Sequence, residues 1–321
     1  MAGFLGRLTG RRTGAAPSGS LPGEVELQAA GARVVIVPSL GGRITAIDLA
    51  GRQWLAGGPP PDGDLPESAR GAATGYEEAF PTVAAARLAS KNSGLAIDFP
   101  HLGEARTLAP AVNVVTLEGA LEATCTWNGD RMPYRLVRVV RVEPNAIRMR
   151  YVATNRGTAP LPFLWAANVA LPLEAGTRVS LPEGARGRVL SQHQVDLLGV
   201  GAEHRWPRFR TANKLIDMSA PDTIGPRFAC HLSFEMPAGV AAIVDGAQRL
   251  EVRFDPSVVT HTGLAVRKRM GGGALDRVIT LQPAIGVPDA LAQAGGVAAS
   301  AVWLEPGGTR EWELEWRAGP A

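Results

Sequence analysis

The chain has 321 residues, of which 45% are hydrophobic and 20% are charged, and its formal net charge is +3. These values are typical of a soluble globular protein with a sizeable core. Basic residues are scattered along the chain, so the electrostatic footprint of a nucleic-acid-binding protein is missing. No run approaches the ~18 apolar residues of a membrane span, so neither nucleic acid nor a membrane is expected as a partner.

Residues 1–22 carry positive charge, small residues and prolines, but they lack the apolar core of about 7–15 residues that defines a secretory signal. We expect a flexible tail over 1–22, a single domain over 23–321 and a cytoplasmic location. Cys125 and Cys230 each share a strand face with apolar neighbours, so two buried, reduced thiols are expected rather than a disulfide.

From Glu24 onward, short β-type segments alternate with turn residues. In chain order, the predicted strands are Val25–Leu27, Arg33–Val37, Ile44–Leu49, Gln53–Leu55, Val112–Leu117, Ala120–Trp127, Tyr134–Val142, Ala146–Asn155, Leu161–Ala167, Arg227–Met236, Val240–Val244, Gln248–Phe254, Gly263–Arg267, Arg277–Gln282, Ala299–Leu304 and Arg310–Arg317. Tight hairpin turns are predicted at Asn128-Gly129, Pro144-Asn145 and Asp245-Gly246. Residues 57–74 are interpreted as a surface excursion, and 183–210 receive no assignment.

Residues 289–294, directly after Pro288, carry the one clear helical pattern. Fifteen or so strands at spacings of about 8–12 residues predict an all-β fold. The expected architecture is a large antiparallel β-sandwich with very little helix.

The stretch from Leu161 to Pro182 is notable for its apolar beginning. The run Leu161–Ala167 lacks the alternation of a half-exposed strand, so we expect a strand that is buried on both faces. Asn168 is expected to end that strand and to present its amide at the rim of a sheet, where a ligand can reach it.

Two further stretches place polar side chains beside turn residues. Glu77 and Glu78 stand next to aromatic residues in the segment from Tyr76 to Val83, and His101 lies close in sequence to Glu104. His101 is therefore a candidate site residue. The two adjacent acids either meet a ligand or point to water while the aromatic residues fill the core.

Several kinds of chemistry have no support in the sequence. The five histidines are dispersed without the spacing of metal ligands, so no metal site is expected. A glycine-rich phosphate loop and a G-x-S-x-G nucleophile turn are also missing. No cofactor is expected, and any chemistry must come from residues that distant strands bring together.

Five stretches, taken in order, resemble the aldose 1-epimerase (galactose mutarotase)-like family. They are Gly41–Ile44 with its hairpin to Leu55, Glu77–Thr82, Pro100–Glu104, Trp165–Asn168, and Leu281–Pro283 with the residues after it. The resemblance runs from about Glu24 to Arg317. It implies the galactose mutarotase-like supersandwich, with a sugar site in the concave face of one sheet.

In that family a glutamate takes the proton from the anomeric hydroxyl and a histidine protonates the ring oxygen, so that the sugar ring opens and recloses. The matching positions of this chain are Gln282 and Asn168. An amide neither takes up nor releases a proton near neutral pH, although it still hydrogen-bonds to hydroxyls. The resemblance therefore implies a carbohydrate-binding protein for a hexose-type sugar, with mutarotase activity lost or reduced.

The sugar site that this interpretation implies combines hydrogen-bonding groups with an apolar wall. Its expected members are Asn168, Gln282, His101, Glu78, Arg87, Phe80 and Trp165. A different interpretation is an active isomerase of the aldose 1-epimerase type whose acid and base have moved. The candidates for those relocated roles are His101, Glu78 and Glu104.

The residues are also compatible with a phosphosugar ligand or with no sugar at all. A phosphosugar would need cationic partners, for which the candidates are Arg87, Lys91, Arg106 and Arg267. The two amides could instead be structural, with Asn168 capping a strand end and Gln282 satisfying buried backbone groups, in a protein that binds no sugar. The oligomeric state is not predicted.

Overall fold

The structure, a computed structural model, describes residues 23–57, 74–89, 96–117, 120–193, 197–211, 214–225, 227–269, 276–293 and 296–321. The predicted tail over 1–22, most of the predicted excursion over 57–74, and Lys91 lie outside these residues. Within them, no helix is long and apolar enough to cross a membrane.

Short strands make up most of the described chain. Their bounds are β1 Val25–Ala29, β2 Ala32–Val37, β3 Arg43–Leu49, β4 Arg52–Gln53, β5 Tyr76–Ala79, β6 Ala86–Ala89, β7 Ala96–Phe99, β8 Ala111–Leu117, β9 Ala120–Asn128, β10 Tyr134–Glu143, β11 Ala146–Asn155, β12 Leu161–Phe163, β13 Trp165–Pro172, β14 Arg178–Ser180, β15 Arg186–His193, β16 Glu203–Arg205, β17 Arg208–Arg210, β18 Leu215–Asp217, β19 Phe228–Glu235, β20 Val240–Asp245, β21 Gln248–Arg253, β22 His261–Lys268, β23 Arg277–Ile285, β24 Ala292–Gln293, β25 Gly296–Val297, β26 Val302–Leu304 and β27 Thr309–Pro320. Short 3-10 helices cover Pro38–Leu40, Ala105–Thr107 and Pro221–Thr223.

Two antiparallel sheets form the body of the protein. The larger has 11 strands in the order β1-β2-β3-β5-β13-β23-β22-β19-β15-β16, with β4 paired to β3. The smaller has eight strands in the order β14-β20-β21-β27-β11-β10-β9-β8. This is the predicted all-β sandwich, and the fold class is confirmed.

The main hydrophobic core lies between the two sheets and draws on both. Trp165, Ala167 and Val169 of β13 contribute to it from the larger sheet, and Leu314 and Trp316 of β27 contribute from the smaller one. Since successive side chains of a strand point to opposite faces, Ala166 and Asn168 lie on the outer face of the larger sheet. Both cysteines are buried and free, as predicted.

Two of the three predicted hairpin turns have the expected form. Asn145, between β10 and β11, has a φ of +56°, and Gly246, between β20 and β21, has a φ of +60°. Gly129 differs because β10 starts only at Tyr134, which leaves a longer loop. A Cβ at Gly129 would lie 2.4 Å from Cε1 of Tyr134, so the glycine makes room for an aromatic ring rather than supplying a left-handed turn.

The predicted helix over 289–294 is wrong for the described residues 289–293, which contain strand β24 instead. The carbonyl of Asp289 accepts hydrogen bonds from the amides of Val83 and Ala84, at 3.2 Å each. Ala290 also forms a bridge with Ala84. Pairing with a distant segment has overridden a local helical preference.

Candidate functional site

Four polar side chains form a row across the outer face of the larger sheet, which we call the polar row: Glu77, Asn168, Gln282 and His231. They come from β5, β13, β23 and β19, and Asn168 is directly opposite Glu77 in the register of the first pair of strands. All four alternate along their strands with residues of the main core. The sheet therefore gathers on one face groups that are up to 205 positions apart in the chain.

Direct hydrogen bonds join three members of the row. Nε2 of Gln282 donates to Oδ1 of Asn168 at 2.9 Å. Oε1 of Gln282 lies 2.7 Å from Nε2 of His231. An amide oxygen can only accept, so Nε2 of a neutral His231 carries the proton and Nδ1 keeps a lone pair. The partners of Gln282 are side chains, whereas the structural role considered from sequence required buried backbone groups.

His231 reaches Gln282 diagonally across the intervening strand β22. The residue of β22 opposite Gln282 is Gly263. A Cβ at that position would stand 2.3 Å from Oε1 of Gln282, the same atom that His231 approaches. The missing side chain thus opens the path along which the two residues bond.

Two arginines flank the Glu77 end of the row. Nη2 of Arg43 donates to Oε1 of Glu77 at 2.6 Å, and Nη2 of Arg106 lies 3.6 Å from the same oxygen. The second oxygen, Oε2, is buried and has no hydrogen-bond partner among the described residues. Burial raises the pKa of Glu77, and both arginines and Asn168 oppose that rise. The row therefore ends on a buried carboxyl group that retains accepting capacity.

His101 lies beside the row rather than in it. Its pKa is lowered to about 4, first by burial and then by the positive charge of Arg106 and by His231. Nη1 of Arg106 also donates to the backbone carbonyl of His101 at 3.4 Å. Asn168 and Gln282 are buried and form the floor of the site, while His101, His231 and Arg106 are partly exposed.

We expect His101 to make the stability of the protein depend on pH. Its pKa is about 4 when folded and 6.5 in an ordinary context, so between these values the unfolded chain binds a proton that the folded chain does not. The free energy of unfolding should therefore rise with pH across this window, by up to about 3 kcal/mol from this one group.

The measurement is urea denaturation at pH 4.5 and pH 7 for the unmodified protein and for His101→Gln. The glutamine variant should show a smaller change between the two pH values. An identical change in both proteins would contradict the assignment of this proton to His101, whatever the other titrating groups contribute.

The structure places Glu78 on the opposite face of β5, between the two sheets. Its Oε1 accepts from Nη1 of Arg138 at 2.9 Å and from the hydroxyl of Tyr151 at 3.1 Å. Its Oε2 accepts from Nε1 of Trp165 at 2.8 Å. The Glu78 and Arg138 side chains have no exposed surface. Glu78 therefore does not meet the polar row, and its bonds serve to connect the sheets.

The other residues expected to line the sugar site also lie away from the row. Phe80 is in the main core, with its ring centroid 4.6 Å from that of Tyr134, and Trp165 faces that core too. Arg87 is on the β6–β7 hairpin, where its side chain is 73% exposed and 3.6 Å from Asp98. An apolar wall made of Phe80 and Trp165 is not present on the outer face.

Two of the remaining candidates are placed as follows. Glu104 is buried beside the β9–β10 loop, where Oε2 accepts from the backbone amide of Arg131 at 3.0 Å. Arg267 lies on the outer face of β22, and its Nε and Nη2 are buried without a hydrogen-bond partner in the described chain. Of the three basic candidates that the structure describes, Arg106 contacts the row, with Nη2 at 3.6 Å from Oε1 of Glu77.

Sequence reasoning missed Glu77 and His231 as members of the site. For His231 a signal was present, because Phe228, Cys230, Leu232 and Phe234 alternate with polar or small residues. That period of two assigns His231 to the face opposite the core. For Glu77 no such signal exists, because both residues of the Glu77-Glu78 pair are acids.

No protein-family model and no curated protein sequence matches the chain. Several solved structures are similar to it. The Slr1438 protein from Synechocystis is similar with a TM-score of 0.66 at 16% identity, over 97% of this chain and 100% of that one. A galactose mutarotase related enzyme from Lactobacillus acidophilus has a TM-score of 0.64 at 14% identity, over 92% and 97%. A galactose mutarotase-like protein from Clostridium acetobutylicum has a TM-score of 0.63 at 11% identity, over 92% and 95%.

These similarities extend over nearly the whole of each chain, while the identities are low. They show that the protein has the galactose mutarotase-like fold, which is the architecture expected from the sequence resemblance. The polar row therefore lies on the larger sheet of a galactose mutarotase-like fold.

Proposed function

We propose that the protein binds a hexose-type sugar on the outer face of the larger sheet, at the polar row, and that mutarotase activity is lost or reduced. The observation that carries the proposal is the chain of bonded side chains from Asn168 through Gln282 to His231, beside which Oε2 of Glu77 has no partner among the described residues. It offers acceptors and donors in alternation, which suits the adjacent hydroxyls of a sugar. A sugar can be bound by hydrogen bonds to side chains, and the row supplies such groups.

The reduced activity follows from the centre of the row. Asn168 and Gln282 stand where the resemblance calls for an acid and a base, and neither amide exchanges protons near neutral pH. General acid–base catalysis is typically worth about 10²–10⁴-fold in rate. Two amides that bond to each other at 2.9 Å cannot supply this acid–base contribution, but they still form a polar floor.

Asn168→Ala should weaken binding of the preferred hexose by roughly 10-fold, because a bound hydroxyl loses a partner in a buried setting. Isothermal titration calorimetry with glucose and galactose measures this effect, and Arg87→Ala is the matched control that should bind like the unmodified protein. Loss of stability without a change in affinity would mean that the amide is structural. No heat of binding with any hexose tested would count against the proposed function itself.

A second candidate is an active isomerase, and one observation favours it. Glu77, His231 and His101 are titratable and surround the two amides, and His231 retains an Nδ1 lone pair. Burial raises the pKa of Glu77 and lowers the pKa of His231, and the site therefore holds a carboxyl group and an imidazole whose proton affinities are both shifted from their ordinary values. NMR exchange between sugar anomers separates the candidates, since rapid exchange that Glu77→Gln abolishes would establish the isomerase and exclude the binding protein.

A further inference from the structure

A depression adjoins the polar row on the same face of the larger sheet, and no part of the site described so far uses it. Its volume is about 610 Å³. It lies between strands β15 and β19 on one side and the segment after β23 on the other. Among its lining residues are Arg188, Leu190, Ser233, Glu235, His261 and Asp289, and we call it the β19 groove.

The groove continues the row in register. Ser233 follows His231 by two positions on β19, so both side chains are on the outer face and about 7 Å apart along the strand. Ser233 is also opposite Gly263 of β22, the residue across which His231 reaches Gln282. Asp289 lines the groove, and its negative charge opposes the lowering of the His231 pKa. The groove and the polar row therefore adjoin each other along β19.

One atom of the groove lacks a partner. The hydroxyl of Ser233 is buried and makes no hydrogen bond within the described part of the chain. Burying a hydroxyl without a hydrogen-bond partner is unfavourable, so such a group in a groove is suited to a ligand that supplies the missing bond. On the same side of the groove, the neighbouring strand β15 has a register irregularity between Val189 and Ser191, and Leu190 at that point lines the groove.

The lining indicates the chemistry of the ligand. The charged lining residues nearly balance, with two positive and three negative side chains, so neither a phosphate nor a strong cation is favoured: Arg186, Arg188, Glu203, Glu235 and Asp289. The apolar residues Leu190, Val200 and Val287 also line the groove. A pyranose ring has the same combination, with hydroxyls at its edge and apolar C–H groups on its face.

We propose that the β19 groove is a second saccharide subsite, so that the protein binds at least two linked neutral sugar rings, one at the polar row and one beside Ser233. This inference rests on the proposed function, since it needs a first ring at the row. His231 and Ser233 are about 7 Å apart along the strand, so a ring beside Ser233 would adjoin a ring bound at the row. A groove of about 610 Å³ is also within the ordinary range of small-molecule sites, roughly 300–1,000 Å³.

The experiment compares glucose and galactose with maltose, cellobiose and lactose by isothermal titration calorimetry on the full chain. At least one disaccharide should bind about 10-fold more tightly than its component monosaccharide, which corresponds to one or two added hydrogen bonds. Ser233→Ala should remove most of this advantage while leaving the monosaccharide affinity unchanged. Ser233→Thr, which keeps the hydroxyl, should retain it.

A bulkier variant provides an independent readout. Ser233→Leu should fill the groove and reduce disaccharide binding to the level of the monosaccharide or below it. Monosaccharide binding in that variant demonstrates that it is folded. Equal affinities for one and two rings in the unmodified protein would overturn the second subsite and leave the proposed function standing, whereas no binding of any sugar would overturn both.

Discussion

Arg138→Met is expected to lower the free energy of unfolding by about 3–5 kcal/mol, the usual cost of removing one partner from a buried ion pair. Arg138 of β10 and Glu78 of β5 connect the two sheets and have no exposed surface. Nη2 of Arg138 also donates to the carbonyl of Gly42 at 2.6 Å. The variant leaves a carboxylate and a backbone oxygen without their cation in the middle of the core.

Urea denaturation at pH 7 measures the loss. The matched control is Arg148→Met, because Arg148 forms ion pairs at the surface with Glu143 and Glu315, and pairs of that kind are typically worth less than about 1 kcal/mol each. The double variant Arg138→Met with Glu78→Gln should regain part of the loss, since no charge is then left unpaired. A loss below about 1 kcal/mol for Arg138→Met would mean that the pair contributes no more than a surface contact.

Combining Asn168→His with Gln282→Glu is expected to raise the rate of anomer exchange by about 10²–10⁴-fold, the range of general acid–base catalysis. The substitutions place an acid and a base on β13 and β23, where the present amides lie 2.9 Å apart. His231 would adjoin the new carboxylate at the position where it now contacts Oε1 of Gln282. A positive or hydrogen-bonding neighbour there holds the carboxylate in its ionised, basic form.

Saturation-transfer NMR on glucose and galactose measures this exchange. Each single variant is a control, because one proton-transfer group without the other should give only a small part of the gain. The double variant with Arg87→Ala added should behave like the double variant alone, as Arg87 lies on a distant hairpin. Unchanged exchange in a double variant that still binds sugar would show that these two positions are not where the reaction needs its acid and base.

The fold class was predictable because it depends on local patterns. Alternating side chains mark most strands, and the turn at Pro144-Asn145 needs only its own two residues. The order of strands in the larger sheet could not be predicted, because the neighbouring strands β5, β13 and β23 are far apart in the chain. The apparent helix over 289–294 failed for the same reason, since its first residue bonds to Val83 and Ala84 instead of to its own next turn.

The site was predictable in part, and β13 shows why. Asn168 was expected to end a buried strand, but β13 continues to Pro172 and Asn168 lies within it. In a strand that is apolar on both faces, the sequence does not show which face a single polar residue takes. Asn168 in the middle of β13 therefore could not be distinguished from a residue that ends the strand. The same limit separated Glu77 from Glu78, since two neighbouring acids take opposite faces and only the assembled sheet shows which one meets the row.

Gly263 has a consequence for how this surface can vary. The residue carries no functional group, yet a side chain there would occupy the space between Gln282 and the ring of Pro288, whose Cγ would be 3.0 Å away. In a library of substitutions at this surface, a replacement of Gly263 should displace Oε1 of Gln282, although glycine itself contributes no functional group. The hydrogen bond between His231 and Gln282 thus depends on the lack of a side chain at Gly263. A comparison of functional groups alone would overlook this requirement.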